Sequence, residues 1–251
     1  MKHSILTAAA LCAICGTAAA APRLNEVLVN PASTDDNGEF VEIRSTTGGA
    51  ETFTNHTLLV LEGDSSAPGV IDIAVNLNAL GSGASGLLLL RDGTGAALNP
   101  AADAGTNSST VFTAAQLENG SLTFLVVTGF SGAAGNDLDT NDDGTIDSTP
   151  WTAVVDALGN IENDGAGNFG YADDFGFTNL DENVGGFEHE GMIYDAVLSQ
   201  WIGVNISGGV PGPFTVNTNQ SNPFNAKYDG HVMTPGSLNV FTSVENWEAM
   251  N

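Results

Sequence analysis

Short apolar runs of strand length constrain this chain more than any other feature. They fall at residues 24–29, 39–43, 57–61, 70–75, 86–90, 122–127, 152–155 and 200–204. The runs are rich in Val, Leu and Ile, and they are punctuated by Gly, Asn, Asp, Ser and Pro, which form turns. Glu39-Phe40-Val41-Glu42-Ile43 alternates polar and apolar residues, the period of a half-buried strand. Helical periodicity is nearly absent, and its best candidate is a short turn at residues 113–117. The 31 glycines suit a chain that reverses direction often. This pattern predicts an all-β fold: an immunoglobulin-like antiparallel β-sandwich with Greek-key-like connections and long acidic loops.

Residues 1–20 read as a secretory signal peptide: Lys2 and His3, a short apolar core, then small residues ending Ala18-Ala19-Ala20. Cleavage is placed after Ala20, because cutting one residue later would leave Pro22 at a poorly tolerated position. Both cysteines, Cys12 and Cys15, lie in this segment, so the mature chain is expected to lack disulfides and thiol chemistry. The chain is expected to be secreted, to the medium, the cell surface or a periplasm. No later run is long enough to span a bilayer. Residues 21–241 are expected to form one domain, with an acidic insertion at about 131–195 and a short tail at 242–251. Residues 156–195 carry few strand signals and are read as an excursion from one end of the sandwich.

Without Lys2, four cations (Arg23, Arg44, Arg91 and Lys227) face 30 acids. No Lys or Arg lies between Arg91 and Lys227, so most acids in that span must be solvated, metal-bound or mutually repelling. Direct binding to nucleic-acid phosphates is disfavoured, since that affinity comes from Lys and Arg.

Five aspartates crowd into residues 137–147: Asp137, Asp139, Asp142, Asp143 and Asp147. Asp139, Asn141 and Asp143 alternate, so successive oxygens can converge on one ion while the backbone curls around it. Gly144 follows where the turn needs a permissive residue. Thr145 would give a backbone carbonyl, Ile146 would pin the loop to the core, and Asp147 would bind directly or through water. Asp137 and Asp142 would add ligands or field. Pro150 stands where an EF-hand needs a bidentate Glu, so the loop is compared instead with free-standing extracellular calcium loops. Asp156 is the first choice to close the site, and Glu162 the second. The expected ion is Ca2+ in a structural role. Mg2+ prefers fewer protein ligands, and Zn2+ lacks Cys or His nearby. The competing reading is a run of Asx turns. A second acidic tract (Asp173-Asp174, Asp181-Glu182 and Glu188-His189-Glu190) lacks this alternation and reads first as a solvated loop, second as another ion site.

Sequence tests for catalysis find no motif. There is no His-Glu-x-x-His, no Gly-x-Ser-x-Gly, and no Lys in the Gly/Ser-rich stretch at residues 81–86. Carboxylate pairs are abundant, but nothing singles one out for glycoside hydrolysis.

Three segments resemble the lamin-tail domain family. They are Arg23-Leu24-Asn25-Glu26 through Asn30-Pro31, then Gly38-Glu39-Phe40-Val41-Glu42-Ile43, and the closing Thr234-Pro235-Gly236-Ser237-Leu238-Asn239. Residues 122–129, the Asp-rich loop and residues 150–156 are similar to an insertion in secreted bacterial relatives. The resemblance implies an immunoglobulin-like sandwich used as an interaction module, with no catalytic residues. The expected function is a monomeric, non-catalytic binding or scaffolding module for an extracellular protein or polysaccharide. The alternative is a secreted hydrolase, or an accessory domain of an extracellular nuclease or phosphatase.

Overall fold

The computed structural model describes residues 21–31, 38–93, 97–113, 116–162 and 167–241. The expected signal peptide with its two cysteines, the tail at 242–251 and part of the expected turn at 113–117 lie outside the described residues. In chain order the strands are β1 (Pro22–Leu28), β2 (Phe40–Ser45), β3 (Glu51–Thr52), β4 (His56–Glu62), β5 (Ile71–Asn76), β6 (Gly81–Ser82), β7 (Leu87–Asp92), β8 (Asn107–Phe112), β9 (Leu122–Thr128), β10 (Ala153–Ile161), β11 (Thr178–Asp181), β12 (Gly191–Asp195), β13 (Gln200–Ser207) and β14 (Thr215–Asn222). Helical structure among the described residues is limited to one α-turn, α1 (Glu182–Gly185), and two 3-10 turns at Asp173–Phe175 and Ala226–Tyr228.

The strands form a seven-stranded sheet in the order β14-β13-β12-β1-β2-β7-β8 and a five-stranded sheet in the order β11-β10-β9-β4-β5. β3 and β6 pair separately. The all-β sandwich expected from the sequence is present. One edge pairing in each large sheet departs from the antiparallel pattern: β7–β8 and β10–β11 are parallel. Parallel neighbours need a long crossover, which residues 93–106 and 162–177 supply.

Leu24 and Val27 of β1, Val41 and Ile43 of β2, and Leu88 and Leu90 of β7 meet Leu58 and Val60 of β4 and Phe124 and Val126 of β9 in one core between the sheets. A bulge between Leu24 and Glu26 inserts Asn25 into β1. It lets Leu24 and Val27 both face this core and sends Glu26 to the outer face.

The outer faces are also covered. On the larger sheet, Leu28, Phe40, Leu89, Ile193 and Ile202 pack under Phe214, Tyr228 and Met233. On the smaller sheet, Leu59, Leu61, Leu125 and Val127 pack under Leu138 and Ala172, with Ile146, Trp151 and Phe175 alongside. This explains why runs such as Leu87-Leu88-Leu89-Leu90 are continuous rather than alternating: strands buried on both faces need apolar residues at every position. The Asp-rich loop between β9 and β10 is therefore part of a cover over apolar surface.

The expected excursion at 156–195 is corrected. It contains most of β10, then β11, and all of β12, which sits between β1 and β13 in the larger sheet. β11 and β12 are short and bordered by acids, so local composition hides them. The expected acidic insertion at about 131–195 is likewise interrupted by sheet strands. Among the described residues no helix is long and apolar enough to cross a membrane.

Candidate metal centre

The loop begins on the edge strand of the smaller sheet. Asp137 bridges Val70, the Ile71 N–H donates to the Asn136 carbonyl, and the Leu138 N–H donates to the Gly69 carbonyl. Leu138 is buried in the outer-face cluster, and Ile146 packs against it, as the sequence predicts. The chain then winds around Asp139, which is fully buried. Asp139 Oδ1 accepts the Asp143 N–H at 3.1 Å, and Oδ2 accepts the Gly144 N–H at 2.8 Å and the Tyr171 hydroxyl at 2.9 Å. Burial and the Asp139 carboxylate push the Tyr171 phenol up, so it remains a donor at any ordinary pH.

Asp139 is thus the hub of the loop rather than one ligand among equals. The other carboxylates are exposed. Asp137 Oδ1 accepts the Asp139 N–H, Asn141 Oδ1 accepts the Asp143 N–H, and Asp143 Oδ1 accepts the Thr145 N–H. These are successive Asx turns, each side chain closing on the backbone two residues ahead. Asp147 Oδ2 accepts both the N–H and the hydroxyl of Thr140, at 3.0 and 2.7 Å, joining the ends of the loop. Asp174 accepts the Ile146 N–H at 2.8 Å and ties the loop to the 3-10 turn at Asp173–Phe175.

Two glycines are required. Gly144 has φ +84°, and a Cβ there would stand 2.5 Å from Cδ1 of Phe169. Gly69 has φ +78°, and its Cβ would stand 2.5 Å from that of Asp139. Gly144→Ala should therefore cost about 1–3 kcal/mol, from the left-handed backbone and the clash together. A thermal melt indistinguishable from that of the unsubstituted chain would show that the loop repacks freely around Phe169.

Asp156, the expected closing ligand, does not belong to the loop. Its Oδ2 accepts the Leu24 N–H at 2.8 Å, and its Oδ1 lies 3.5 Å from Arg23 Nη1. The bulge between Val154 and Asp156 in β10 turns this side chain toward β1, a register effect that sequence spacing cannot show. None of the five loop aspartates is in an ion pair among the described residues.

The loop carboxylates do not gather in threes. Among the described residues, the group of three acids whose oxygens lie within 4.8 Å of one another is Glu62, Asp72 and Glu118. They come from β4, from β5 and from the segment before β9, so no sequence motif joins them. Glu62 Oε1 accepts the Gly63 and Asp64 N–H groups at 2.9 and 2.8 Å. Burial, joined by the neighbouring carboxylates, holds Glu62 up at about 7, and burial then the Glu118 charge raises Asp72.

Side chains of the second acidic tract hold neighbouring backbone in place. Asp181 caps α1 by accepting the Asn183 N–H. Glu182 accepts the His189 N–H and the Asn160 amide, and Glu190 accepts the Ile206 N–H. Burial lowers His189 to about 4, so its imidazole is neutral at ordinary pH.

The three family-like segments converge on the outer face of the larger sheet. Glu26 and Glu42 stand directly opposite on β1 and β2, both fully buried. Glu26 accepts the Thr234 N–H at 3.0 Å, and Glu42 accepts the Gly236 N–H and the Asn25 amide, each at 2.5 Å. Asn239 donates back to the Asn25 carbonyl at 3.1 Å. Two carboxylates, one from each N-terminal segment, therefore clasp the closing turn.

No family model, curated protein or solved structure matches the chain. The class defined here is that of the fold and the loop: an all-β sandwich with both outer faces covered and an aspartate-centred loop on one of them.

Proposed function

We propose that the chain is a secreted, non-catalytic binding or scaffolding module whose Asp-rich loop holds a structural calcium ion. The observation that carries this is the loop itself: four exposed aspartates around a buried fifth, with no ion pair among the described residues to balance them. The residue types fit a hard cation. A carboxylate offers about four acceptor sites, so Asp137, Asp139, Asp143 and Asp147 keep capacity beyond their present hydrogen bonds. Asn141 and the Thr145 carbonyl add neutral oxygens. Exposed side chains change rotamer on the picosecond-to-nanosecond scale, fast enough to close on an arriving ion. Bound calcium would neutralise the loop and stabilise the cover over Leu59, Leu61, Leu125 and Val127.

Melting the mature chain in calcium and in chelator tests this. Calcium at about 100 times its Kd should add about 2.7 kcal/mol, or several degrees at the midpoint. Asp143→Ala should lose most of that gain while melting normally in chelator, because its side chain is exposed. Equal midpoints in calcium and chelator would remove the ion.

The convergence of Asn25-Glu26, Glu42 and residues 234–239 supports the lamin-tail-like reading, since segments about two hundred residues apart act as one unit. The leader-like residues 1–20 support secretion, and the partner proposed for such a module is an extracellular protein or polysaccharide. One observation favours the alternative hydrolase: Glu62, held at about 7 beside Asp72 and Glu118, has the environment of a general acid. Turnover of glycan or phosphoester substrates that Glu62→Gln abolishes would replace the binding-module reading.

A further inference from the structure

β11, the edge of the smaller sheet, lies beside β13 of the larger one, and two clefts open there side by side. One, of about 350 Å³, is floored by Leu180 and Trp201, and the other, of about 500 Å³, is lined by Phe187, Asn219 and Phe224. They share Val184, Asn222 and Pro223, so they run together as one groove along α1 and the end of β14. Apolar side chains are left uncovered at its rim: Val184 is 77% exposed and Phe224 61%. The wall is otherwise built of amides and hydroxyls, and Asp181 is the one charged residue in either lining.

The groove is also held in shape. Asn222 Nδ2 donates to the Asp181 carbonyl at 2.9 Å and lies 3.3 Å from His189 Nε2, while His189 Nδ1 lies 2.8 Å from Asn160 Oδ1. A neutral imidazole with its proton on Nδ1 satisfies both contacts, so Asn222 is fixed from behind. Such a wall loses little side-chain entropy when a ligand arrives.

We infer that this groove binds a neutral oligosaccharide segment. Pyranose rings present apolar C–H faces that suit the exposed ring of Phe224 and the half-buried Phe187 beside it, and hydroxyls that both donate and accept suit an amide-lined wall. The volumes fall within the range of ordinary ligand sites. Anionic glycans are selected against: no cation lines the groove, and 30 acids face 5 cations over the whole chain. A single carboxylate is too little to select a basic peptide. This deepens the binding-module reading and rests on it.

Affinity electrophoresis of the mature chain through gels containing a mixed-linkage glucan, a galactomannan or a xylan, with alginate as the anionic comparison, tests the inference. Retardation by at least one neutral polysaccharide and not by alginate is expected. Phe224→Ala should weaken it about tenfold, as truncating an aromatic anchor does. Asn219→Gly, which keeps the positive φ of Asn219 while removing its amide, should weaken it as well. Both variants should melt as the unsubstituted chain does. Retardation unchanged in both, retardation by alginate alone, or none at all would overturn the groove assignment. In each of those cases a calcium-dependent melt would leave the loop reading standing. Breakdown of a retarding polysaccharide would remove the non-catalytic reading while keeping the groove.

Discussion

Asp139→Ala should destabilise the protein by about 2–4 kcal/mol, the cost of leaving buried hydrogen-bond donors without their acceptor. The substitution strands the Gly144 N–H and the Tyr171 hydroxyl beneath the loop and leaves the Asp143 N–H with Asn141 Oδ1 alone. Folded domains are stable by only about 5–15 kcal/mol, so the melting midpoint should fall by about 10 °C. The drop should persist in chelator, because these hydrogen bonds do not involve an ion. That separates Asp139→Ala from Asp143→Ala, whose effect should vanish in chelator. Tyr171→Phe removes a single donor and should cost about 1 kcal/mol. A melt of Asp139→Ala within a degree of the parent would show that the loop is not organised around this residue.

The second large effect is a loss of stability on alkalinisation. Burial raises Glu26 well above the ordinary carboxylate range, and the Glu42 charge raises it further against the Thr234 N–H. Burial holds Glu42 up at about 8, against the lowering hydrogen bonds from Asn25 and Gly236 and with a smaller push from Asp103. Both groups bind protons more tightly folded than unfolded. The Glu42 contribution is therefore complete below the ordinary value of about 4.5 and is lost as pH rises through about 8, and that of Glu26 is lost in the same direction. With 1.36 kcal/mol per unit, the loss across that window is about 3–5 kcal/mol. Glu42→Gln mimics the protonated form of that group, so its unfolding free energy should fall less steeply than the parent's, with Glu26 supplying the slope that remains. A denaturant series at several pH values between 5 and 9 reads this directly. A parent whose stability is level or rising over that range would contradict the carboxylate clasp.

The strands that could be read in advance were those with apolar residues to read. β4, β7 and β9 announce themselves as unbroken runs, and β2 by alternation. β8 (Asn-Ser-Ser-Thr-Val-Phe) and β14 (Thr-Val-Asn-Thr-Asn-Gln-Ser-Asn) do not, because each is the edge of its sheet and turns polar side chains to solvent. Their existence depends on a neighbour already being in place. The loop divides in the same way. Its turn grammar is local: Gly144 takes the positive φ that the spacing requires, and Ile146 packs down as expected. The inequality among its aspartates is not local. Asp139 is the hub because Tyr171 approaches from 32 residues away, and Asp156 is excluded because a bulge turns it toward Arg23.

Residue order alone thus determined the fold class, the position of the loop in the chain and the excess of acid over base. These depend on periodicity, turn chemistry and charge, which act between near neighbours or over the whole chain. Tertiary structure alone decided which carboxylates stand together: Glu26 with Glu42 on adjacent strands, and Glu62 with Asp72 and Glu118. It also decided that the Asp-rich loop covers an apolar face. The physical reason is that pairing register, bulges and crossovers set proximity between distant residues, and burial then sets the charge state of the groups brought together.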